Sequence, residues 1–199
     1  MSFIMGKKEI IPADILPLAT YATRRSAMRQ EIVRKKKNRR IEVGPCATFY
    51  FECYETMLQQ VQEMLFIEKG GAAQVADELS AYNPLIPKGA ELVATVMFEI
   101  DDPVRRANVL ARLGGVEETM FIKLGDDKVM GVPEADQERT NEEGKASSVQ
   151  FVHFPFTAAQ IARFRKGGET VIVGMQHANY AHMAVMPEAM RAELAQDFD

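Results

Sequence analysis

Residues 39–69, RRIEVGPCATFYFECYETMLQQVQEMLFIEK, change hydrophobic period partway along. Ile41 to Val43 and Cys46 to Phe51 carry β-branched and aromatic side chains, the composition of strands. Gly44-Pro45 between them reads as a turn or bulge. From Tyr54 to Glu68 the apolar Met57, Leu58, Val61, Met64 and Leu65 recur every three or four residues, which makes one face of a helix. Glu55, Gln59, Gln62 and Glu63 take the other face, a pattern that usually meets water. The stretch therefore predicts strand, turn, strand and helix, with the Met57–Val61–Leu65 side against a sheet.

The flanks extend this pattern. From Asp14 to about Asn38, apolar residues from Ile15 to Val33 recur at roughly helical spacing, with Pro17 tolerated in the first turn. Downstream, Gly70-Gly71 separates the central helix from a second one over Ala72 to Tyr82. A strand follows over Glu91 to Ile100, then a helix from Pro103 to about Leu113 capped by Asp102. Glu117 to Val132 reads as a hairpin turning at Gly125-Asp126-Asp127. Pro133 to Ala146 is polar and reads as a surface loop. Val149 to Phe156 and Thr170 to Met175 read as strands around a helix capped by Thr157, and a last short helix begins near Pro187. Glycine doublets at 70–71, 114–115 and 167–168 follow helices and read as caps. Regular βαβ spacing is absent, so the expected class is α+β: a single domain over 1–199 with a mostly antiparallel sheet, several packed helices, and residues 12–40 as a basic N-terminal helical arm.

Composition limits the function. The chain has 199 residues, 47% of them apolar, enough for one sizeable core. Formal net charge is -4. Between Arg24 and Arg40 nine cations meet only one acid, Glu31, so this segment is +8 and the rest is -12. An acidic body with a basic arm can bind nucleic acid, an acidic partner or itself. Cys46 and Cys53, spaced C-x6-C, match neither a redox pair nor a zinc motif and read as free, buried thiols of a reducing compartment. No run resembles a signal peptide or a membrane span, which gives the expectation of a soluble, cytoplasmic protein.

Catalytic signatures are lacking; there is no G-x-G-x-x-G and no phosphate loop. His177 and His182 follow a sheet strand and are two of three histidines. With a carboxylate from Glu52 or Glu55, or from Glu63 on the same helix, they are the candidate ligands for a transition metal. The competing reading makes them structural histidines bonded to loop backbone. His153 lies within an aromatic strand and reads as a satisfied sheet residue. The basic residues Arg34, Lys35, Lys36, Lys37, Arg39 and Arg40 are the candidate surface for nucleic acid or an acidic partner. Aromatics that would stack bases do not interleave with them. A solvated helix end is the plainer alternative.

DILPLATY at 14–21, KKKNRRIEVGP at 35–45, FECYETMLQQVQEML at 51–65, YNPLIP at 82–87 and HANYAH at 177–182 together resemble a bacterial family known as a conserved domain of unknown function. The resemblance runs from about Ile10 to His182 and is most specific from Lys35 to Leu65. It implies genes placed beside rubrerythrin-like proteins and an iron–sulfur oxidoreductase subunit, hence a role in redox metabolism or oxidative stress, and it supplies no catalytic residue. Three functions follow in order: an accessory protein binding a redox partner, a metal-dependent enzyme using His177 and His182, and a nucleic-acid-binding module. Homodimerisation is the default expectation for such a chain.

Overall fold

The computed structural model describes residues 7–134, 140 and 144–199. Most of the polar stretch expected to form a surface loop, 133–146, falls outside them. A 3-10 turn at Pro12–Asp14 leads into α1 (Leu18–Lys36), which starts later than its spacing suggests because Pro17 serves as its N-cap. Next come β1 (Arg40–Val43), β2 (Ala47–Phe51), α2 (Tyr54–Glu68), α3 (Gly71–Tyr82), β3 (Glu91–Phe98) and α4 (Pro103–Leu110). The second half holds β4 (Met120–Leu124), β5 (Asp127–Met130), β6 (Val132–Pro133), β7 (Val149–Pro155), α5 (Ala158–Lys166), β8 (Val171–His177), β9 (Tyr180–Val185) and α6 (Glu188–Leu194).

The fold is α+β with two antiparallel sheets. One has the order β1-β2-β3-β7-β6 and the other β5-β4-β8-β9. Side chains alternate along each strand, so one face of each sheet points at the other. Ala47, Phe49 and Phe51 of β2, Leu92, Ala94 and Val96 of β3, and Val152 and Phe154 of β7 meet Met120, Ile122 and Leu124 of β4 and Val171, Val173 and Met175 of β8. Phe156, Phe164 and Phe198 pack edge to face with centroids 5.1–5.6 Å apart and join the same core.

The other face of the five-stranded sheet is covered by helices. Met57, Val61 and Leu65 of α2 are buried against Val93, with Phe151 and the α3 residues Val75 and Leu79 packed alongside. The opposite side of α2 departs from its expected wet character. Gln59 and Gln62 are buried. Gln62 bonds the Leu16 backbone through both amide atoms (2.9 and 3.1 Å), and Gln59 donates to the Tyr21 hydroxyl. Tyr21 donates to Glu63 (2.5 Å), which also receives a two-point bond from Arg25. A polar seam of this kind joins α1 to α2, whose amides and carboxylate look solvent-bound in isolation.

Two backbone details differ from the glycine pattern. The left-handed residue closing α2 is Lys69 (φ 57°), not a glycine of the following doublet. The stretch HANYAH is no strand end followed by a loop; it is the whole tip of the β8–β9 hairpin, with His177 paired to Tyr180. Among the described residues no helix is long and apolar enough to cross a membrane.

Candidate functional site

The basic segment divides into a buried end and an exposed face. Arg39 is 1% exposed. Its guanidinium donates to the carbonyls of Phe51 (3.0 Å) and Glu52 (2.9 Å), to Glu193 (3.3 Å) and to Asp197. Burial works against this charge, but the carboxylates of Asp197 and Glu193 more than offset it and hold the guanidinium protonated above its ordinary range. Burial likewise raises the Asp197 carboxyl while Arg39 pulls it down. This corrects the placement of Arg39 on a free cationic surface: the strand it precedes enters the sheet, and its side chain is drawn in to cap carbonyls at the β2–α2 junction. Lys35 is half-buried and reaches Glu55 at 3.0 Å and Glu193 at 3.8 Å.

Arg24, Arg29, Arg34, Lys36, Lys37 and Arg40 remain. None has an ion pair or side-chain hydrogen bond with another described residue, and all except the half-buried Lys36 are exposed. Arg29 and Arg34 flank a shallow groove on α1 floored by Ala22, Ser26 and Val33, the last 70% exposed. α1 takes this form because its inner side needs only Tyr21, Arg25 and a few apolar residues to hold α2, which leaves its outer side without a structural task.

Arg39 and Lys35 also line a cavity of about 370 Å³, with Lys7, Lys8, Arg165, Cys53, Tyr54, Glu55 and the carboxylates of Glu193, Asp197 and Asp199. Its cations are matched within the chain: Lys7 to Asp14, and Lys8 to Asp199 (each 2.5 Å). Arg165 donates to the carbonyls of Phe198 (2.5 Å) and Asp199. Cys53 lies in its wall, and burial pushes the thiol up to about 11 against the pull of Arg39. A thiol held protonated at neutral pH is a poor nucleophile. The second cysteine, Cys46, sits in the β1–β2 turn, 3.6 Å from the Tyr180 hydroxyl; both thiols are free.

The structure does not bring the proposed metal ligands together. His177 lies at the end of β8, its Nε2 3.2 Å from the Gly114 carbonyl. His182, on β9, stacks edge-on against Tyr180 at 4.6 Å. Glu52 is buried beneath α2, where it accepts from Thr56 (2.6 Å) and Thr95 (2.8 Å), and Glu55 is tied to Lys35. Among the described residues no group of three His, Cys, Asp or Glu is placed to hold a metal. His153 is satisfied, with its two ring nitrogens 2.9 Å from Glu91 and 2.7 Å from Glu134. No sequence spacing announces that bridge, because Glu91 and Glu134 reach His153 from two neighbouring strands.

Residues 9–198 match the family described as protein of unknown function (DUF3501). The chain belongs to that family. No curated protein matches. A crystal structure of a protein of unknown function from Burkholderia pseudomallei is similar, with 32% identity, a TM-score of 0.88, and coverage of 96% of this chain and 99% of that one. The overall architecture is thus shared with that protein.

Proposed function

We propose that this DUF3501 protein is an accessory protein, acting in the cytoplasm, that docks an acidic protein surface on the outer face of α1. The observation that carries the reading is a set of cations, Arg24, Arg29, Arg34, Lys36, Lys37 and Arg40, that form no ion pair with another described residue, in a protein whose net charge is negative. Small residues and Val33 between the arginines give a protein partner apolar contact at the centre with charge at the rim, the arrangement of transient interfaces. Aromatic platforms for bases are lacking there, which favours protein over nucleic acid. The family resemblance makes a rubrerythrin-like protein or an iron–sulfur oxidoreductase subunit the first partners to examine, in a redox or oxidative-stress role.

Purified candidates of both kinds are titrated against the wild type and against Arg24→Glu/Arg29→Glu/Arg34→Glu at rising salt. The reading expects saturable binding that weakens with ionic strength and fails in the triple variant. Binding to neither candidate at low salt removes the redox assignment. Tight binding of RNA or DNA through the same arginines replaces an acidic protein with nucleic acid.

A further inference from the structure

β6 has the least backbone pairing of its sheet. It is two residues long, Val132–Pro133, and lies at the sheet edge against β7, with Val132 opposite His153 and Pro133 opposite Val152. A proline has no N–H to give to a ladder. The Gly131 amide, just before the strand, donates to the Met120 carbonyl (2.8 Å), and the Glu134 amide, just after it, donates to the Phe151 carbonyl (3.1 Å). Gly131 is also wedged against β7, where a Cβ would come within 2.5 Å of Val152. β6 is thus anchored where it begins and lightly held where it ends. At that lightly held end the side chains of Glu134 and His153 meet.

The His153 ring is gripped on both sides. Its Nδ1 lies 2.9 Å from Glu91 Oε2 and its Nε2 lies 2.7 Å from Glu134 Oε2. Two ionised carboxylates at these distances each need a donor, and only the imidazolium has two. A neutral ring serves one of them and turns a lone pair on the other, acceptor against acceptor. We infer that this bridge is a pH latch: the protonated ring holds the end of β6 against β7, and loss of its proton releases Glu134 and frees residues 132–134 from the sheet edge.

Glu134 leaves rather than Glu91 because Glu91 is better held. Glu91 opens β3, which pairs with β7 at seven positions, and its Oε1 also accepts the Lys88 amide (3.3 Å). Among the described residues Glu134 has His153 as its one side-chain partner. The surroundings add little charge. Lys88 faces Glu91 but gives its ammonium to the carbonyls of Lys8 (2.6 Å) and Asn83 (3.0 Å). Val93 and Val132, opposite His153 on the flanking strands, are uncharged, and the helices over this face bring apolar side chains with Tyr54 and Tyr82. Glu91 first, and Glu134 after it, raise the proton affinity of the ring above its ordinary range against the effect of burial. The latch is therefore shut below that raised value and opens as pH rises through it. Once β6 lifts, β7 becomes the edge strand, and an open edge is a place where another strand can pair.

NMR of the full chain from acid to alkaline pH tests this by following the His153 ring together with the amides of Val132 and Glu134. Above the ring's midpoint the Glu134 amide is expected to exchange with water about tenfold faster than its intrinsic pH dependence accounts for, the loss of one charge-assisted hydrogen bond, while the β3 amides keep their protection. In Glu134→Gln the excess disappears, because an amide side chain accepts from the charged ring and donates to the neutral one. Corrected exchange at Glu134 that stays constant while the ring titrates overturns the inference. So does an equal rise at position 134 in Glu134→Gln, a rise shared by the β3 amides, or a ring that does not titrate across the range.

Discussion

Replacing Arg39 with methionine tests the account of the basic segment most severely. Methionine keeps the length and apolar stem and removes the guanidinium. Two carbonyls, of Phe51 and Glu52, then lose their donor inside the protein, and Asp197, whose side chain is 9% exposed, loses its cation. Breaking a buried ion pair by deleting one partner costs about 3–5 kcal/mol. An unmade buried hydrogen bond costs about 1–3 kcal/mol, but these losses share one side chain and do not add. The expectation is therefore a loss of about 3–5 kcal/mol by urea denaturation at neutral pH. Arg40→Met, at the exposed neighbour, stays within ~0.5 kcal/mol. Burial already holds the Asp197 carboxyl above its ordinary range with Arg39 in place; in the Arg39 variant only Lys35 still opposes burial, so the carboxyl titrates higher still in the folded chain. The native state then holds its proton longer, and stability falls as pH rises. The deficit is accordingly larger at neutral than at mildly acidic pH, and Arg39→Met/Asp197→Asn recovers part of it. An Arg39→Met loss below ~1 kcal/mol, equal to that of Arg40→Met, refutes the burial argument.

Tyr180 ties the two sheets together where β1 and β9 meet: its hydroxyl donates to the Val43 carbonyl (2.9 Å) and accepts from the amides of Cys46 (3.1 Å) and Ala47 (3.0 Å). Tyr180→Phe strands those groups and lowers stability by about 1–3 kcal/mol in denaturant titration, and a neutral result shows that water replaces the hydroxyl. His153 is raised above its ordinary range chiefly by Glu91, with Glu134 adding to this against burial. A histidine with a raised folded value stabilises fully below its unfolded value of about 6.5 and loses that contribution as pH rises through the folded one. Thermal melting from acid to alkaline pH therefore shows the advantage of wild type over His153→Gln shrinking with pH; a constant difference means that the bridge carries no charge.

What the chain reveals without coordinates follows from the range of the interactions. Met57, Val61 and Leu65 are legible because a buried stripe is written in local spacing, and the whole of α2 with it. β1 and β2 are legible for the same reason, since Gly44-Pro45 marks the turn that pairs them. The polar seam is not, because Gln59 and Gln62 acquire their partners from Tyr21 and Leu16, about forty positions away, and an amide on a helix looks alike wet or buried. Arg39 is hidden more completely: Asp197 lies 158 residues further on. The β8–β9 tip is missed for want of glycine, because Asn179 without a glycine beside it flags the turn at Ala178-Asn179 only weakly. His177 and His182 stand out by rarity, but rarity holds no information about whether a third ligand reaches them.

The charge of α1 has a further consequence. The rest of the chain carries ample acid to neutralise it, yet among the described residues only Glu55, Glu63, Glu193 and Asp197 pair with the segment, and they take Arg25, Lys35 and Arg39. Arg34, Lys36 and Lys37 are left where α1 ends, at the negative end of the helix dipole, where a cation is favoured by about 0.3–1 kcal/mol. Glu31 is the one acid among the nine cations, and among the described residues six of those cations meet no carboxylate, which is the reason to look for the acid on another molecule.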